Sequence, residues 1–120
     1  MKEANIQRLI MLETSSAGAR MFRNNSGAYK TEQGHFVKYG VGNPGGSDLI
    51  GITPVTITAD MVGKRIGVFT AIEVKTPKGR STEDQRNFIR VIRALGGYAG
   101  VARSVDDALS IIKTGSEREK

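Results

Sequence analysis

Three residues draw attention by type and spacing: Asp48, Glu73 and Lys75. Asp48 opens an apolar run, Leu49-Ile50-Gly51-Ile52, directly after the glycine-rich loop Asn43-Pro44-Gly45-Gly46. Glu73 and Lys75 interrupt a second apolar run just before Pro77-Lys78-Gly79. Strand side chains alternate, so Glu73 and Lys75 share a face with Ala71 while Ile72 and Val74 take the other. If the two runs are neighbouring strands, both carboxylates can converge at one end of a sheet. With the Val74 backbone carbonyl they would form a hard oxygen site suited to Mg²⁺ that retains several waters. Lys75 could then hold the attacking water or neutralise developing charge. The plainer alternative is a cross-strand ion pair on a solvated face, worth about 0–1 kcal/mol.

The elements that must position these residues are readable from periodicity and caps. Glu3 to Ser16 is predicted helical, with Ile6, Leu9 and Ile10 on one stripe and a stop at Ala17-Gly18. Glu13 falls on that same stripe, an unusual place for a carboxylate. Strands are expected at Arg20 to Arg23, His35 to Tyr39, Asp48 to Ile52 and Ile66 to Lys75, with a short β stretch at Val55 to Ile57. Asn24 to Gly27 reads as a turn. Thr82 or Ser81 should cap a second helix, with Gln85 completing a capping box and Phe88, Ile89, Ile92 and Leu95 facing inward. A strand from Tyr98 to Arg103 and a helix capped by Ser104 close the chain. That last helix is expected to bury Val105, Ala108, Leu109 and Ile112. The order implies an α/β fold, a mixed β-sheet flanked by helices, with a parallel crossover from Ile66 to Arg103.

The chain has 120 residues, which fits one domain over 1–120 with a frayed tail from 113 to 120. It has no cysteine and a single histidine, which excludes disulfides, zinc-cysteine sites and multi-histidine metal sites. No apolar run approaches the roughly 18 residues of a spanning helix. The first dozen residues lack a signal-peptide core, so a cytoplasmic location is expected. For such a chain the glycosylation spacing of Asn24-Asn25-Ser26 has no meaning. The formal net charge of +6 favours a polyanionic partner. Lys78 and Arg80, beside the proposed site, are phosphate-contact candidates. Arg86, Arg90 and Arg93 line one face of the second helix, for which a solvated surface is the alternative.

The pattern of Asp48 followed by Glu73-x-Lys75 resembles the PD-(D/E)XK nuclease superfamily. Arg23-Asn24-Asn25-Ser26-Gly27-Ala28, Gly46-Ser47-Asp48-Leu49-Ile50-Gly51, Ile72-Glu73-Val74-Lys75-Thr76, Ser81-x-x-x-Gln85 and Gly96 to Arg103 are similar to its VRR-NUC branch. Ser47 stands where the superfamily name has proline. The resemblance spans about Glu13 to Leu109 and implies a restriction-endonuclease-like core. It further implies a Mg²⁺-dependent endonuclease, with Mn²⁺ able to substitute, hydrolysing phosphodiester bonds in DNA. Asp48, Glu73 and the Val74 carbonyl would bind metal, Lys75 would act on the water, and Gln85 would support the site. Glu13 would be a further metal ligand or a water-mediated partner, and Arg23 joins Lys78, Arg80, Arg86 and Arg90 as DNA-binding candidates. Stand-alone bacteriophage members suggest a homodimer acting on branched DNA such as four-way junctions. A non-cleaving DNA-binding module and a structural partner subunit are the competing expectations.

Overall fold

Helix caps and turn glycines set most of the boundaries in the computed structural model, which describes residues 2–118. Helix α1 covers Glu3–Ser16 and ends at Ala17, whose amide donates to the Glu13 carbonyl; Gly18 follows at φ 98°. Glycine takes that left-handed turn without a Cβ clash, so the helix stops where its stripe does. Two compact units make up the chain, Met1–Thr53 and Pro54–Lys120. Among the described residues no helix is long and apolar enough to cross a membrane.

The first unit holds α1 and two antiparallel ladders. Strands β1 (Arg20–Arg23) and β4 (Leu49–Ile52) pair with Arg23 opposite Leu49 and Met21 opposite Gly51. A Cβ on Gly51 would stand 2.1 Å from the Arg20 carbonyl oxygen, so the close approach of these strands requires glycine there. Strands β2 (Gly27–Lys30) and β3 (Phe36–Tyr39) form the other ladder, with the Tyr29 and Tyr39 rings 6.5 Å apart. β2 is absent from the sequence expectation because only Tyr29 carries a strand signal between Gly27 and Lys30. Its cross-strand partner stabilises it instead.

The second unit supplies a strand–helix–strand crossover. Residues 53–58, including the stretch expected as β at Val55 to Ile57, are irregular, and a 3-10 turn follows at Ala59–Met61. β5 is only Thr70–Val74, shorter than the expected Ile66 to Lys75. Gly67, a residue that weakens a strand, lies within the stretch that stays irregular before Thr70. β5 pairs in parallel with β6 (Tyr98–Ala102), Glu73 lying opposite Val101. Between them runs α2 (Glu83–Ala94), capped by Thr82, whose Oγ1 accepts from the Gln85 amide at 3.1 Å. α2 reaches the Glu73 face of the ladder through Gln85, and its buried Ile89 and Ile92 are core residues. On the other face, Ile111 of α3 (Val105–Thr114) approaches Gly100, where a Cβ would meet its Cδ1 at 3.0 Å.

The inward face of α3 differs from the sequence expectation. Ile111 is fully buried, whereas Val105 is 75% exposed and Leu109 and Ile112 are also open. The apolar residues of α3 form a stripe wider than the ladder covers, and the packing selects the Ala108–Ile111 side. Where a frayed tail was expected from residue 113, α3 runs to Thr114 and residues 115–118 cross the outer edge of β6. The Ala99 amide donates to the Gly115 carbonyl at 3.2 Å, the Val101 amide to Glu117 Oε2 at 3.2 Å, and the Arg103 amide to Asp107 Oδ2 at 2.9 Å. Glu117 is in turn held by Arg93 at 2.8 Å. Residues 119–120 of the expected tail lie outside the described residues.

Asp107 links this edge to the helix. The Arg103 amide, then the Arg118 guanidinium, hold its carboxyl below the ordinary 3.8 against the opposing pull of burial. A carboxylate with a lowered folded pKa stabilises the fold above its unfolded pKa and loses that contribution as pH falls through the folded value. Asp107→Asn should therefore lower the melting midpoint at pH 7. The gap from the unsubstituted chain should close as pH is taken below 3.8, which thermal melts across pH 2.5–7 would register.

Candidate active site

Glu73 and Lys75 lie on the covered side of their strand, and this separates them from an ordinary surface pair. Their side chains retain 29% and 22% of full exposure, while Val74 on the opposite face retains 76%. An apolar-in, charge-out strand would have the reverse pattern. The Lys75 amide continues the ladder by donating to the Ala102 carbonyl at 3.0 Å, so Lys75 keeps the alternation and follows Glu73 onto the α2 face. Lys75 Nζ stands 3.8 Å from Glu73 Oε1.

Gln85 fixes the carboxylate from the helix side. Its Oε1 accepts from the Thr82 amide at 2.9 Å, completing the capping box, and its Nε2 donates to Glu73 Oε1. One side chain thus caps α2 and orients Glu73. Both contacts of the Glu73 carboxylate fall on Oε1, so Oε2 is the oxygen left to face a cation or its waters. One oriented carboxylate oxygen and the adjacent Val74 carbonyl are hard donors. They fit a Mg²⁺ ion that keeps most of its waters better than a fully protein-caged metal. No group of three or more acidic, histidine or cysteine side chains suited to a metal occurs among the described residues.

The remaining candidates divide between the two units. Asp48 belongs to the first, at the entrance of β4, with an exposed side chain. Its carbonyl accepts from the Asn24 amide at 2.8 Å. Asn24 Nδ2 also donates to the Val41 and Ser47 carbonyls at 2.8 and 3.0 Å, while its Oδ1 accepts from the Val41 amide at 2.8 Å. Asn24 is therefore the clamp that shapes the Asp48 loop, a role that sequence reasoning missed. Its position directly after β1, in Arg23-Asn24-Asn25-Ser26-Gly27, is the available signal. Arg23 is exposed at the same strand end. Glu13 is exposed on α1 and shares a shallow hollow of about 220 Å³ with Ile6, Leu9 and Ile10, which are themselves exposed rather than core.

The basic candidates of the second unit follow Glu73 in sequence and are exposed. Lys78 lies within, and Arg80 directly after, a turn closed by the Gly79 amide, which donates to the Thr76 carbonyl at 3.1 Å. Arg86 donates to the Ser81 carbonyl and Arg90 to Asn87 Oδ1, leaving both guanidinium groups at the α2 surface. Arg93 departs from that face: its Nε donates to the Ala99 carbonyl at 2.8 Å and Nη2 pairs with Glu117. Its work is structural.

The second unit is a parallel strand–helix–strand crossover carrying Glu-x-Lys at the strand end, with a glutamine reaching back from the helix. The chain belongs to the VRR-NUC domain family, which matches residues 5–106, and its mixed α/β architecture is consistent with that fold. No curated protein and no solved structure matches the chain. The family makes the chain a nuclease domain, and nucleases of this type generally use divalent metals. A nuclease domain implies DNA as the substrate.

Proposed function

We propose that the chain is a Mg²⁺-dependent DNA endonuclease, with Mn²⁺ able to substitute, and that it selects branched DNA such as four-way junctions. The carrying observation is the half-buried Glu73–Lys75 pair on the α2 face, with Glu73 Oε1 held by Gln85. In this reading Asp48, Glu73 and the Val74 carbonyl hold the ion, and Glu13 is a further, water-mediated partner. The support for including Asp48 is its place in the family pattern and the Asn24 clamp on its loop. When bound, the cation supplies charge neutralisation at the scissile phosphate and lowers the pKa of a coordinated water. Lys75 orients the attacking water and offsets negative charge as the phosphorus becomes five-coordinate. Gln85 keeps Glu73 from rotating away. The 3′-oxygen departs, giving a 5′-phosphate product. Arg23, Lys78, Arg80, Arg86 and Arg90 contact backbone phosphates, consistent with the net charge of +6.

A symmetric homodimer is part of this proposal, because one site cuts one strand and a junction presents two strands related by two-fold symmetry. The test incubates purified protein with end-labelled linear, flap and four-way DNA in Mg²⁺ or EDTA. Strand scission in Mg²⁺ alone, fastest on the branched substrates, is expected. Salt-sensitive binding without scission would instead support a non-cleaving DNA-binding module. Sedimentation at working concentration should give twice the 12.9 kDa chain mass. A monomer making paired incisions in one binding event would defeat the dimer.

A further inference from the structure

Beside Glu73 lies a hollow of about 270 Å³ that the chemistry above does not use. Ala71, Ile72, Phe88 and Ile89 form its apolar walls, while Glu73, Gln85 and Asp84 supply the polar groups. Phe88 is 40% exposed although it sits on the stripe of α2 that carries the buried Ile89 and Ile92. The volume falls just under the roughly 300–1,000 Å³ typical of small-molecule sites, which suits a single flat ring. Its walls are apolar and Asp84 stands at its margin, so the hollow suits a base rather than a phosphate.

We propose that this hollow receives the base of the nucleotide flanking the scissile phosphate, stacked on Phe88, with Asp84 favouring a base that carries an exocyclic amino group. The inference rests on the proposed phosphodiester cleavage, since a phosphate held at Glu73 places its own nucleoside next to the hollow. Aromatic rings stack on every base and so add affinity without sequence. Asp84 adds discrimination: a carboxylate accepts from the amino groups of cytosine and adenine, whereas thymine presents a carbonyl at the matching position. Reading a base here requires it to leave its stack, which is easiest next to a branch point or mismatch.

The test walks 2-aminopurine, and separately an abasic residue, through every position of a flap substrate bound in Ca²⁺, a hard cation that takes carboxylate ligands in place of Mg²⁺. One position next to the cut should change 2-aminopurine fluorescence with the unsubstituted chain and not with Phe88→Leu. Removing the base at that position should weaken binding at least about fivefold for the unsubstituted chain and by little for Phe88→Leu. An equal abasic penalty in both proteins overturns the proposal even where scission continues. Conversely, a Phe88-dependent signal without any scission in Mg²⁺ sustains the base site and removes the nuclease reading. Should Phe88→Leu fail to fold, Asp84→Asn at the exposed first turn of α2 decides. Relaxed preference for amino-bearing bases supports the site, and an unchanged ranking overturns it.

Discussion

Glu73→Gln is expected to yield a folded chain that binds DNA and cuts it at least about 10³-fold more slowly, a loss of about 4 kcal/mol of transition-state stabilisation. The amide keeps the shape of the carboxylate, and its carbonyl can still accept from Gln85 Nε2. What disappears is the negative charge that a hard cation requires. The ion pair with Lys75 also goes, but at 3.8 Å and part-exposed it contributes at most about 1 kcal/mol to the fold. Asp48→Asn serves as the companion variant because it lies in the other compact unit. The same loss from both, with melting midpoints unchanged, would tie the two units to one chemical step. Near-normal cutting by either variant in Mg²⁺ would remove that residue from the metal site.

Lys75→Ala should separate chemistry from binding. A cation that acts on the water or on the developing charge contributes in the transition state and little in the ground state. Single-turnover cleavage should fall about 10²-fold or more while DNA affinity holds within a few-fold. Lys75→Arg should recover only part of the rate, since a planar fork replaces a compact ammonium. If affinity falls and the single-turnover rate does not, Lys75 is a phosphate clamp and the attacking water needs another partner.

Local signals carried a large share of this fold into view. The end of α1 and the start of α2 follow from Gly18, Thr82 and Gln85, whose effects reach only a few residues along the chain. Glu73 and Lys75 were legible as a pair for the same reason: strand alternation is a two-residue rule. The features that were not legible depend on partners distant in sequence. β2 owes its form to β3, and the inward side of α3 is chosen by how Ile111 meets Gly100 rather than by its apolar content. Asn24 illustrates the limit for the site. Its three side-chain bonds join residues 17 and 23 positions away, and no local pattern distinguishes such a clamp from an ordinary turn residue. Gln85 was readable as a cap, but its grip on Glu73 needed the crossover to bring helix and strand together.

The outer edge of β6 has a consequence for how these molecules tolerate crowding. An edge strand with open amides is a template for a strand from another molecule. Here the three outward amides are occupied by the Gly115 carbonyl and by the carboxylates of Glu117 and Asp107. Two of those three stoppers are acids, so they act as acceptors most strongly while ionised. As pH falls through its lowered value Asp107 becomes neutral, its Arg118 attachment weakens, and its hold on the Arg103 amide loosens. The cover of this edge is thereby tied in part to the charge of Asp107 rather than to net charge, which grows more positive in acid and by itself would keep the molecules apart.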